Sequence, residues 1–231
     1  VLLGFAVAGA SSAGWLFLVA WVCAYPVGYY GGRAVTARAR RGSWTRLARR
    51  ELARALPWAV LTAAAGLPLA LTRPWLLAAA LALAILWAVG LRVAGLRGER
   101  SMSNDLLLVA QAVAAVPLSV AVVAGPAALL DGLLGPTLTA TAVCAAYLAG
   151  SVIHVKSLLR EADDRRWHAL DVAWHAGALV VATFVDPWWL LGFGPALVRA
   201  LVMRPGLRPG MIGAVEAVVA VLVVVAAVLA L

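Results

Sequence analysis

An all-α bundle of membrane-spanning helices follows from three features of this sequence. Of its 231 residues, 65% are hydrophobic and 13% charged, against roughly 45–50% and 25% in soluble domains. The charged residues are bunched into short segments between apolar runs of membrane-spanning length. Those runs are too long and too uniformly apolar for the alternating strands of a membrane barrel, so helices are the spanning element. The formal net charge of +9 is assigned to loops that orient the helices. Membrane lipids, and not nucleic acid, are the expected partners. Cys23 and Cys144 lie inside apolar runs, without metal-ligand spacing or a disulfide pattern, and are read as packing residues.

Nine helical segments account for the apolar runs. Residues 1–10 would rise only about 15 Å as a helix, half the hydrocarbon thickness, and are expected to belong to a longer first helix. They lack the basic flank of a secretory signal. The second helix covers residues 14–30, with Trp15 at one end and Tyr29-Tyr30 at the other as interfacial anchors. A strongly basic loop follows over residues 33–54, then helices over 55–71 and 75–91 separated by the Thr72-Arg73-Pro74 reversal. After the polar stretch 92–104, the fifth helix starts near Asn104-Asp105, with Ser103 as its expected cap, and ends before Gly125-Pro126. The remaining helices cover residues 137–160, 166–185, 188–203 and 211–231. The chain reads as a single helical membrane domain with no soluble domain, because the longest stretch outside the membrane is about twenty residues.

Loop charge checks this count. If every segment crosses, 18 of the 19 basic residues fall on one side, and only Arg73 lies opposite. The positive-inside rule then places the loops between helices 2 and 3, 4 and 5, 6 and 7, and 8 and 9 in the cytoplasm, with the C-terminus outside a bacterial inner (plasma) membrane.

The polar groups concentrate on that side. On the sixth helix His154, Ser157 and Glu161 recur at i, i+3 and i+7, and Lys156 and Arg160 at i and i+4 on a neighbouring face. This is either a ligand site at the membrane boundary or a snorkelling helix end. On the seventh helix His168, Asp171 and His175 share a face. The two histidines lie two turns, about 10 Å, apart, too far for both to hold one ion, so an Asp171–His hydrogen bond between helices is favoured over a metal site. Residues 98–105, GERSMSND, set Arg100 beside a helix N-terminus, an arrangement suited to an anion. Asn104 and Asp105 are also ordinary first-turn residues. Arg199 and Glu216, inside the membrane boundary on neighbouring helices, are expected to pair. The basic segment around Trp44 reads as an interfacial stretch that meets anionic lipid headgroups.

These motifs carry a resemblance. ERSMSNDLLLVAQA (residues 99–112), AGSVIHVKSLLREADDRRW (149–167), WHAGAL (174–179) and IGAVE (212–216) resemble the YwiC-like family of bacterial membrane proteins. The family implies a multi-pass membrane protein of unassigned activity. Its members carry a His-Gly-Ala-Trp-like segment before the first helix, which this sequence lacks. Nine helices with polar motifs in the second and sixth connecting loops also resemble, more distantly, the UbiA superfamily of intramembrane prenyltransferases. That resemblance implies a UbiA-like bundle in which carboxylates of both loops hold magnesium against a prenyl diphosphate. Here the first of those loops contains no Asp, and the other offers Glu161, Asp163 and Asp164 amid four basic residues.

The leading expectation is therefore an anionic or phosphate-bearing lipid-like ligand at the cytoplasmic face, with no cofactor. Arg100, Lys156 and Arg160 would contact the anion, and Asn104, Asp105, Glu161, His168 and Asp171 would position it, with His154 on the same helix face as part of the site. One alternative is a divergent prenyl or lipid transferase using magnesium on Glu161, Asp163 and Asp164. Another is a small-solute transporter with Asp171, His175, Arg199 and Glu216 along its path.

Overall fold

The computed structural model describes residues 1–97 and 101–231, and their side chains apart from those of Arg40 and residues 95–97. Among the described residues there are nine α-helices: α1 (Leu2–Ala8), α2 (Ser12–Arg41), α3 (Arg46–Thr72), α4 (Trp75–Arg97), α5 (Met102–Ala124), α6 (Leu134–Leu159), α7 (Arg165–Val185), α8 (Leu190–Val202) and α9 (Pro209–Ala230). Short 3-10 turns at Pro126–Leu129 and Pro187–Trp189 are the only other regular elements described. Seven helices, all but α1 and α8, are long and apolar enough to cross a membrane. This is an all-helical, multi-pass membrane protein.

Local chemistry explains the helix ends. The Ser11 hydroxyl accepts from the Gly14 N–H at the start of α2, and Thr45 does the same for Ala48 at the start of α3. Asp164 caps α7 through the Arg166 N–H at 2.9 Å. Gly42, at φ 67°, ends α2 in the left-handed conformation that glycine adopts without strain.

Two boundaries differ from the sequence expectation. Residues 31–41 and 46–54 are helical rather than loop. Arginine ends the apolar run, but it is a good helix former, so the helix continues beyond the hydrocarbon; α2, at 30 residues, is about 45 Å long. The cap of α5 is Ser101, not Ser103: its hydroxyl accepts from the Asn104 N–H at 3.3 Å.

The packed faces are lined by small residues. Ala34, Ala48, Ala140, Ala196 and Ala226 are fully buried, whereas Phe184 is 87% and Leu71 74% exposed. Apolar side chains facing outward and small ones facing inward are what lipid requires, because tails solvate leucine as well as protein does and helices associate through close backbone approach. A central cluster joins Leu3 of α1, Val116 of α5, Tyr147 of α6, Phe193 of α8 and Val223 of α9. The α2–α3 hairpin packs along α5, where Phe17, Leu69 and Val122 form a second cluster. Apart from Glu51 of α3, the buried polar side chains lie on α5, α6, α7 and α8.

Candidate functional site

The site begins on α6, where Tyr147, Ser151 and His154 follow at i, i+4 and i+7 on one face. His154 is fully buried, and its Nδ1 lies 2.7 Å from Asp171 Oδ2 on α7. A carboxylate only accepts, so His154 Nδ1 carries the proton and donates. The Ser157 hydroxyl donates to the His154 carbonyl at 2.8 Å and lies 3.2 Å from the same carboxylate oxygen. Asp171, itself fully buried, thus receives donors from two turns of α6.

One turn further along α7, His175 Nδ1 lies 2.8 Å from the Asp171 carbonyl and 3.0 Å from Oδ1 of its side chain. Both are acceptors, so this ring also holds its proton on Nδ1. Its Nε2 then accepts from Arg199 Nη2 on α8 at 3.2 Å. The two contacts together define a neutral His175 in one tautomer. Arg199 forms an ion pair with Glu216 of α9, and Glu216 accepts from the Ser151 hydroxyl. The Tyr147 hydroxyl donates to the Glu216 carbonyl at 3.0 Å, and Arg199 lies over the Tyr147 ring.

The circuit His154–Asp171–His175–Arg199–Glu216–Ser151 therefore joins four helices, with Ser151 and Glu216 partly buried and the other four residues buried. It is held tightly. A Cβ on Gly150 would approach His175 Nε2 and the Trp174 ring to 2.9 Å, and the Trp174 indole donates to the Ala146 carbonyl at 3.0 Å. By helical rise, Ser151 lies about 12 Å from the end of α6 and Glu216 about 10 Å from the start of α9.

Several buried atoms of the circuit, Arg199 Nε and His154 Nε2 among them, have no hydrogen-bond partner among the described residues. With His154 neutral, Asp171, Arg199 and Glu216 sum to −1, and one proton on His154 brings the circuit to zero. His154 Nε2 is the position where a proton, or a donor from a ligand, completes the arrangement.

A second cluster forms a rim nearer the helix ends. Arg160 Nη1 contacts Asp105 Oδ2 at 2.8 Å, and Lys156 Nζ lies 3.9 Å from the same atom and 5.6 Å over the Trp167 ring. Lys156 is only 6% exposed, so it is packed against α5 and α7 rather than snorkelling outward. Asn104 stands one residue before Asp105, with its Oδ1 near Gly90 of α4.

The expected residues thus separate into several locations. His154, Asp171, His175, Arg199 and Glu216 meet in the circuit; Asn104, Asp105, Lys156 and Arg160 meet at the rim. His168 is exposed and belongs to neither group. Glu161 lies beyond the end of α6 at Leu159, so the expected helical face of His154, Ser157 and Glu161 stops at Ser157. Arg100 lies outside the described residues. Ser151 and Tyr147 were not singled out from the sequence, although their spacing with His154 was the available signal. Among the described residues no group of three or more His, Cys, Asp or Glu side chains could hold a metal ion. Asp163 and Asp164 lie on an exposed turn where Asp164 caps α7, so these residues do not fit the magnesium site that the UbiA resemblance implies.

The model of the family described as YwiC-like protein matches residues 1–120, just over half of the sequence. The chain belongs to the YwiC-like family. The matched region of this YwiC-like protein takes in α1 to α4 and most of α5, with Asn104 and Asp105 of the rim; the circuit lies beyond it. No curated protein and no solved structure matches the chain, and the UbiA-like resemblance is not shown.

Proposed function

We propose that this YwiC-like protein is a proton-linked carrier of a small solute, built as a single helical domain in the bacterial plasma membrane. The observation that carries the reading is the buried circuit through His154, Asp171, His175, Arg199 and Glu216. Ionisable groups inside a membrane are costly, and chains of Asp, Glu and His are how membrane proteins relay protons. The basic end of the bundle faces the cytoplasm by the positive-inside rule. The Lys156–Arg160–Asp105 rim lies between that end and the circuit, within two helical turns of His154 along α6. Pro117 of α5 and Pro195 of α8 lie in helices of the same bundle and supply points of bending.

The test uses proteoliposomes loaded with a pH-sensitive dye and offered a panel of small anionic and zwitterionic solutes. Solute-dependent proton entry is expected for the natural chain and absent in His154→Gln. Equal signals from both proteins and from empty liposomes would sink the proposal.

A second reading rests on the rim, where Lys156 and Arg160 meet beside Asp105. There the protein would hold an anionic or phosphate-bearing lipid-like ligand. Asn104 would sit beside the anion. Native mass spectrometry of the purified protein decides this: an anionic lipid lost in Lys156→Ala/Arg160→Ala supports it, and unchanged lipid retention refutes it.

A further inference from the structure

The most basic part of the molecule takes no role in either reading. Residues 33–54 contain eight arginines and one acid, Glu51, and the helical extensions of α2 and α3 turn them into a built surface. Gly42 reverses the chain so that the last turns of α2 stand against the first turn of α3. A cleft of about 450 Å³ lies between them, lined by Tyr29, Arg33, Thr36, Arg41, Thr45 and Leu47 among others; small-molecule sites run from about 300 to 1,000 Å³.

Its lining is suited to a phosphate. Arg33 and Arg41 supply guanidinium groups, which match phosphate oxygens through paired N–H donors. Thr36 and Thr45 bring hydroxyl groups. The N-terminus of α3 adds unpaired backbone N–H groups and the positive end of the helix dipole. Arg33 is oriented from behind: its Nη1 donates to the Tyr29 hydroxyl at 3.0 Å, and its Nε lies 3.8 Å from the buried Glu51, which also takes Arg54 at 3.0 Å.

Position decides what carries the phosphate. Tyr29 is 51% and Trp44 39% exposed, with Arg38 stacked 4.7 Å over the Trp44 ring. Tyr29 stands where the apolar run of α2 gives way to its arginines, and an exposed Tyr at that transition marks the level of the headgroups. We infer that the α2–α3 foot is a binding site for the phosphate headgroup of an anionic membrane lipid, distinct from the rim at Lys156 and Arg160.

The experiment releases the full chain from nanodiscs of mixed phosphatidylcholine and phosphatidylglycerol and counts retained lipids by native mass spectrometry. The natural chain should retain phosphatidylglycerol selectively. Arg41→Gln, which leaves the Glu51 contacts intact, should weaken retention about fivefold, the equivalent of about 1 kcal/mol per surface arginine. Arg33→Gln/Arg41→Gln should weaken it further, while Arg204→Gln should leave it unchanged. An equal loss in Arg204→Gln, or no loss in Arg41→Gln, overturns the site. Displacement of the lipid by inorganic phosphate alone would overturn the lipid assignment and point to free phosphate. The Lys156→Ala/Arg160→Ala protein should retain this lipid, so loss there but not in Arg41→Gln also refutes the inference.

Discussion

Asp171 is the residue on which the circuit turns, because its carboxylate meets His154 and Ser157 while its backbone carbonyl meets His175. Asp171→Asn keeps the volume but removes the charge that both imidazole protons face; hydrogen bonds to charged groups are worth about 1.5–3 kcal/mol. A loss of that size in a denaturation midpoint, with loss of dye-detected proton entry, is expected. The Arg199–Glu216 pair allows a cleaner test. Removing either partner leaves a buried charge alone and should cost about 3–5 kcal/mol, whereas replacing both with methionine should cost less than either single change. Additive losses across that cycle would show that the two groups do not act as a pair. Gly150→Ala forces a methyl group towards the Trp174 ring and His175, and overpacking of this kind costs about 1–3 kcal/mol. Thermal unfolding in one detergent would detect it.

The helix ends show where sequence patterns and physical boundaries part company. A run of arginines marks the edge of the hydrocarbon, but nothing in arginine stops a helix, so α2 and α3 continue past the apolar stretch and their extensions form the foot. What stops α2 is Gly42 and what starts α3 is Thr45, both visible in the sequence as ordinary punctuation. The start of α5 rests on Ser101, and Ser101→Ala should destabilise the protein by about 1 kcal/mol. Ser103→Ala, which removes the hydroxyl that the sequence favoured, serves as the comparison in the same unfolding assay. The larger effect belongs to Ser101.

At the scale of the molecule, seven long helices with the shorter α1 and α8 make a bundle whose orientation the loop charges predict. Sidedness can be read directly, because Cys23 and Cys144 are buried and single exposed cysteines can be introduced against a quiet background. A membrane-impermeant maleimide should label Ser43→Cys only in inverted vesicles and Asp131→Cys only in intact spheroplasts. Both positions are exposed, one between α2 and α3 and the other between α5 and α6. The opposite pattern would reverse the orientation, and labelling of both from one side would break the alternation of crossings.

The fold class and the helix count were legible in the sequence, since each depends on local composition measured against the thickness of a bilayer. The two polar clusters were legible only in part. His154 and Asp171 stood out as rare groups in apolar runs, and the Arg199–Glu216 pairing followed from adjacent helices and opposite charge. His168 illustrates the limit: it shares a helical spacing with Asp171 and His175, yet it faces outward near the start of α7. Helical spacing fixes which residues share a face within an arc of tens of degrees; it does not fix which part of that arc meets a neighbour.

Sequence by itself thus determined that this chain is a helical membrane protein, with its polar groups confined to a few segments. Tertiary structure alone decided that His154 of α6 and His175 of α7 meet at one carboxylate, and that Arg199 links them to Glu216. It also separated Lys156 and Arg160 from that circuit by tying them to Asp105. The reason is physical. Membrane thickness and charge cost act on each segment separately and leave a record in composition. Contacts between segments depend on rotation and close approach, set by small residues such as Gly150.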